Sequence, residues 1–275
     1  MVSKRNAKVR VEEYLTSIRK PDLRLDEVDR NFCRDFVAFL RTCKSHRGKE
    51  TISETTARLL MCRISAAMNK AVVEGLIPSN PFKALEAKEK PKIKASRREF
   101  LTVEELKILI NTLCRCDIVK KAFLFSCFTG LRYSDMRSLL WSEVHTAADG
   151  KTLYIEHRQV KTKKTVTIPL SAEALRWMPL QKEGVDQVFH ELTVSTKTVK
   201  DVLKAWMKDC GIDKHITYHC SRHTAATLAI SAGAELYPVS KILGHCSITS
   251  TQVYAKVNME KKIEAVNLTR GIFEH

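Results

Sequence analysis

No segment of this sequence approaches the run of about 18 apolar residues that a membrane-spanning helix requires, so no membrane span is expected. No secretory leader is expected either, because Met1-Val2-Ser3-Lys4-Arg5 leads into charged residues rather than an apolar run. Cysteine is present nine times, an odd number, but several of these thiols (Cys33, Cys62, Cys127) fall inside apolar helical patterns. Reduced thiols in a cytoplasmic protein are therefore expected. Cys114-Arg115-Cys116 has no second Cys/His pair at zinc spacing, so no metal is expected. Internal repeats and low-complexity tracts are missing. Acidic residues are few for the number of basic ones, 31 Asp and Glu against 47 Lys and Arg, a net charge of +16. An excess of that size favours a polyanionic partner such as nucleic acid or an acidic membrane surface.

The chain has 275 residues, 44% of them hydrophobic, enough for one large domain or two modest ones with real cores. Its charge is uneven. Residues 1–98 hold 23 Lys and Arg against 12 Asp and Glu, and residues 99–275 hold 24 against 19. The shorter amino-terminal part is the stronger electrostatic handle.

Apolar periodicity predicts helices over 9–20 (Val11, Tyr14, Leu15, Ile18) and 30–42 (Phe32, Phe36, Phe39, Leu40), the second capped by Asp29. A third, capped by Ser53, runs to about Glu74, where Gly75 stops it. Pro78 to Phe82 reads as a turn. Lys88, Lys90, Lys92, Lys94, Arg97 and Arg98 crowd a non-periodic stretch whose single acid is Glu89, a linker that can also lie along a phosphate backbone. The expected division is a helical domain over 1–87, a basic linker over 88–98 and a second domain over 99–275. In that domain, Thr102-Val103-Glu104-Glu105 is a capping box. Helices follow near 103–113 and 117–129, and another begins near Ser134. Alternation over 152–157 and 164–169 predicts antiparallel strands around a basic turn, Gln159 to Lys164. Helices are expected at 171–177, 196–210, 221–232, 235–243 and 247–266. The fold class is mainly α with a small antiparallel β-sheet.

Several residues suit chemistry on a phosphodiester. Attack at phosphorus builds negative charge that fixed cations can stabilise, and the arginine fork meets two oxygens at once. Arg132 follows Thr129-Gly130-Leu131 at a helix junction, with Asp135 placed to orient it. His219 and Arg222, three apart, share a face if helical. Tyr254 can be a nucleophile if cations and a base activate its phenol. Lys161, in the basic turn, can protonate a departing alkoxide, with Lys163 and Lys164 as competitors. His219 can act as base and His245 as a donor to phosphate. Each has a plainer reading alone: a packed tyrosine, structural histidines, solvated arginines and a solvated hairpin tip. Together they describe transesterification of a DNA strand onto tyrosine without metal.

The order Arg132, Lys161, His219-x-x-Arg222, His245, Tyr254 resembles the tyrosine recombinase (phage integrase) family. The matching segments are Thr-Gly-Leu-Arg-x-Ser-Asp at 129–135, Lys161 ahead of Val166-Thr167-Ile168-Pro169-Leu170, His-x-x-Arg-His-Thr at 219–224, Leu-Gly-His at 243–245 and Thr251-x-x-Tyr254. The resemblance covers about 100–268. It implies a helical core-binding domain plus an α+β tyrosine recombinase catalytic domain. It implies a site-specific DNA recombinase that integrates, excises or inverts DNA, acting on double-stranded DNA without a cofactor. Tyr254 would form a 3′-phosphotyrosyl link, Arg132 and Arg222 would clamp the phosphate, and Lys161 would protonate the 5′ oxygen. His219 would assist proton transfer, His245 would bond the phosphate and His223 would buttress the site. The resemblance further implies a homotetramer on DNA, a monomer when free, a donated tail near 258–275 and a role for accessory DNA-bending proteins. Many mobile-element integrases carry a further arm-binding domain. This chain is then either a simple recombinase or part of a longer protein. A type IB topoisomerase shares the chemistry, and a DNA-binding regulator with a relic site shares the charge. The separate helical unit and the filled catalytic positions favour the recombinase.

Overall fold

The computed structural model describes residues 4–45, 50–93, 99–244, 247 and 251–252. The chain divides into two compact units, Met1–Ser96 and Arg97–His275.

The first unit is helical: α1 (Lys4–Ser17), α2 (Arg30–Thr42) and α3 (Glu54–Val73). Asp29 caps α2 by accepting from Phe32 N, and Ser53 caps α3 by accepting from Thr56 N, so both starts lie where their cap residues put them. α1 runs earlier than its apolar pattern suggests. It ends at Ser17, and Arg19 takes a left-handed φ of +56°, a break that no glycine announces. Tyr14 sits among Phe32, Phe36 and Phe39 at ring-centroid distances of 5.2–5.3 Å, and Phe82 packs edge-on to Phe36. The turn before Phe82 is pinned by Asn80. Its buried amide donates to Ser65 O, Ser65 Oγ and Asn69 Oδ1 on α3.

The second unit holds α4 (Val103–Asn111), α5 (Asp117–Thr129), α6 (Tyr133–Ser138), strands β1 (Val144–Thr146), β2 (Leu153–Arg158) and β3 (Thr165–Pro169), then α7 (Ala172–Arg176), α8 (Thr196–Asp209), α9 (Tyr218–Ser231) and α10 (Leu236–Leu243). The Thr102–Glu105 capping box forms. α5 is the central helix, with Phe123, Leu124 and Phe125 all fully buried, and it packs along α9. The sheet is antiparallel in the order β1-β2-β3, with Ile155 facing Ile168 and Arg158 facing Thr165. β1 is absent from the periodicity reading, being three residues long. α9 starts at Tyr218 rather than 221, which draws His219 into its first turn. The expected helix over 247–266 lies largely outside the described residues. Among the described residues no helix is long and apolar enough to cross a membrane.

Candidate active site

Arg222 is the best-anchored candidate. It lies on α9 with only 3% of its surface exposed. Its Nη1 donates to Gly130 O at 2.8 Å, and its Nη2 donates to Leu243 O. Those two carbonyls close the C-terminal ends of α5 and α10, where backbone acceptors lack helical partners. One guanidinium thus bridges two helix ends whose partial negative charge favours a cation. Gly130 can be a helix end here because it takes φ +73° and carries no side chain. A Cβ at that position would come within 2.5 Å of Leu243 Cδ2.

Arg132 follows two residues later, at the N-cap of α6, with its side chain 15% exposed. Its Nη1 lies 3.5 Å from Asp135 Oδ2, an ion pair within one turn that is too long for a hydrogen bond between these two atoms. Asp135 is fully buried, and a buried carboxylate needs partners. Besides Arg132, its Oδ1 accepts from Val160 N at 2.9 Å, at the start of the basic turn. His157 Nε2 lies 3.9 Å from the same oxygen, and His157 Nδ1 is 2.9 and 3.0 Å from the Glu143 carboxylate oxygens. Glu143 also accepts from Leu140 N.

Lys161 occupies the exposed tip of the β2–β3 turn, as do Lys163 and Lys164. Both shoulders of that turn are tied down. Val160 is held by Asp135, and the buried Gln159 donates from Nε2 to Leu243 O at 3.2 Å. Leu243 O therefore receives both Arg222 and the turn that carries Lys161. His219 is exposed in the first turn of α9, and its ring meets His223 edge-on with centroids 4.8 Å apart. His245 and Tyr254 lie outside the described residues. Arg132, Lys161 and Arg222 are thus linked through shared carbonyls and Asp135, and His219 sits one helical turn from Arg222.

Tyr218, the neighbour of His219 in sequence, is unsuited to attack. Its hydroxyl donates to Ala122 O at 2.8 Å, and burial pushes its phenol well above the ordinary value. Among the described residues no group of three His, Cys, Asp or Glu side chains could hold a metal ion.

Sequence reasoning did not find Gln159, His157 or Glu143. A signal existed for His157: it takes an inward position on β2, two residues after Ile155, where a polar side chain needs a partner. Gln159 had none, because its partner lies 84 residues away.

Two family models match the chain: one described as the Phage integrase family, over residues 99–261, and one as the Phage integrase SAM-like domain, over residues 1–92. A tyrosine recombinase of Pseudothermotoga lettingae is 23% identical over 265 residues, covering 94% of this chain and 88% of that one. Tyrosine recombinase XerD of Halalkalibacterium halodurans is 28% identical over 227 residues, covering 77% and 74%. Among solved structures, the Tn1549 transposon integrase in complex with transposon right end DNA superposes with a TM-score of 0.70 at 17% identity, covering 96% of this chain and 92% of that one. A lambda integrase dimer bound to a COC′ core site gives 0.65 at 23% identity, covering 90% and 86%. These likenesses speak for a shared, mostly helical fold with a small antiparallel sheet. With the first family model spanning more than half its length, the chain belongs to the phage integrase family and is a tyrosine site-specific recombinase.

Proposed function

We propose that the chain cuts and rejoins double-stranded DNA through a 3′-phosphotyrosyl intermediate, with residues 1–87 as core-binding domain, 88–98 as basic linker and 99–275 as catalytic domain. Tyr254 Oη attacks the scissile phosphorus while the P–O5′ bond breaks. The phenolic proton passes to His219, and Lys161 gives a proton to the departing 5′ oxygen. Arg132 and Arg222 stabilise the charge on the non-bridging oxygens, and His245 donates to one of them. Rejoining reverses these steps with a 5′ hydroxyl as the attacking group. The new ester conserves the bond energy of the old one, so no nucleotide cofactor is needed.

One observation carries the reading. Leu243 O accepts from both Arg222 and Gln159, while Arg222 also binds Gly130 O. Arg222 therefore ties the segment that leads into Arg132, through Gly130 O, to the Leu243 carbonyl, which also holds the turn bearing Lys161, an arrangement that suits a single phosphate site. The net charge of +16 supports DNA as partner. Integration, excision or inversion by a tetramer on two duplexes, with a monomer when free and with accessory DNA-bending proteins, is the biological setting of this reading.

The test uses a nicked suicide duplex of the target site, from which the cleaved end diffuses away and traps the adduct. The wild-type chain is expected to accumulate covalent protein–DNA complex, and Tyr254→Phe is expected to bind the duplex without forming it. Adduct formation by Tyr254→Phe would overturn the assignment.

A further inference from the structure

Gln159 is an uncharged side chain, yet it lies buried between the turn that carries Lys161 and the end of α10. Only 1% of it is exposed. Its Nε2 donates to Leu243 O at 3.2 Å, and its Oε1 accepts from Thr162 Oγ1 at 2.7 Å, so both ends of the amide are engaged. Its backbone closes the turn as well. Gln159 N donates to Lys164 O, and Gln159 O accepts from Lys163 N, each at 2.9 Å. Between those two bonds Lys163 takes φ +59°, a left-handed conformation costly for a side-chain-bearing residue. The packing above the amide is equally close. A Cβ on Gly244 would lie 2.6 Å from Gln159 Nε2, 2.8 Å from Oε1 and 2.7 Å from Val166 Cγ1. Gly244 is therefore glycine for two reasons: it ends α10 at φ +63°, and the glutamine amide occupies the space a side chain would need.

We infer that Gln159 is a positioning residue for the general acid: it fixes the lysine turn to the same Leu243 carbonyl that holds Arg222, and so sets Lys161 relative to the phosphate clamp. This deepens the proposed function and rests on Lys161 being the acid. A hairpin tip of exposed lysines has many conformers, and proton transfer requires the ammonium within hydrogen-bond reach of the leaving oxygen. Two anchors restrict it here. Asp135 holds the backbone of Val160, and Gln159 holds the hydroxyl of Thr162 on the far side of Lys161. Lys161 thus lies between two tethered residues. The tie also links the acid to the cation. A shift of α10 that moved Leu243 O would move Arg222 and the turn together.

The leaving group separates this role from plain stabilisation. An ordinary 5′ oxygen departs as an alkoxide and needs the proton from Lys161 as the P–O bond breaks. A 5′-bridging sulfur departs as a thiolate, which is stable without that proton. Single-turnover cleavage of all-oxygen and 5′-phosphorothiolate suicide duplexes is compared for the wild-type chain, Lys161→Ala, Gln159→Met and Gln159→Glu. Gln159→Met keeps the length and loses both bonds. Gln159→Glu keeps the acceptor for Thr162 and loses the donor to Leu243 O. Gln159→Met is expected to slow cleavage of the oxygen substrate by about tenfold or more, part of the 10²–10⁴ that a positioned acid contributes. On the sulfur substrate it is expected to lie within about threefold of wild type, with unchanged duplex affinity. Gln159→Glu is expected to show the same selective loss. Equal losses on the two substrates, which misfolding would also produce, overturn the inference, and so does full activity on the oxygen substrate. Lys161→Ala separates the two levels. If sulfur fails to restore its cleavage, the assignment of the acid falls. If sulfur restores Lys161→Ala but neither Gln159 variant, only the role of Gln159 falls.

Discussion

Arg222 carries two loads, and Arg222→Met separates them. The variant keeps an apolar stem of similar reach and removes every donor. Gly130 O and Leu243 O then lose a donor each in a site where the arginine is 3% exposed. An unsatisfied buried acceptor costs about 1–3 kcal/mol, so the pair is worth about 2–6 kcal/mol. Gln159 still donates to Leu243 O, which places the expected loss in the lower half of that range. For a unit of this size each kcal/mol moves the midpoint by about 2–4 °C, so Tm should fall on the order of 10 °C. Catalysis should fall further. Removing one fixed donor from a developing oxyanion costs about 10²–10³ in rate. Arg222→Lys keeps the charge and can reach one carbonyl, so it should recover part of the stability while cleavage stays impaired. Calorimetry gives the midpoints. Single-turnover cleavage well below both midpoints gives the rates without contamination from unfolding. A Tm for Arg222→Met within about 1 °C of wild type would refute the bridging role.

Two further outcomes follow from the same packing. Tyr218→Phe should lose about 1 kcal/mol, the value of its bond to Ala122 O, and still form the covalent adduct. Loss of the adduct with duplex binding retained would mean that Tyr218 takes part in the chemistry. Gly130→Ala should cost about 2 kcal/mol or more, because it combines a left-handed φ with a Cβ driven into Leu243. An unchanged melting midpoint would contradict the close approach of α5 and α10.

The parts legible in the sequence are those with a local cause. α2 and α5 begin and end where Asp29 and Gly130 predict, because a cap acceptor and a left-handed glycine act within one turn. The β2–β3 hairpin is legible because its alternation is local too. α1 and α9 are displaced by several residues for the opposite reason. α1 ends at Ser17, and just beyond it Arg19 takes a conformation usually left to glycine. Thr217 starts α9 with a cysteine thiol as partner, not the usual acid or amide. β1 exists only through its pairing with β2. The site divides in the same way. Arg132, Lys161, His219 and Arg222 can be picked out by residue type and spacing, and Asp135 by its distance from Arg132. The bonds that assemble them join residues 84 and 92 positions apart and leave no periodic trace.

In the proposed reaction DNA becomes esterified to Tyr254 through a 3′ phosphate. Mass mapping of the trapped suicide complex after nuclease and protease digestion tests it most directly. One modified peptide is expected, carrying a 3′-linked phosphonucleotide on Tyr254. A nucleotide on any other side chain, or a link through a 5′ phosphate, would contradict it.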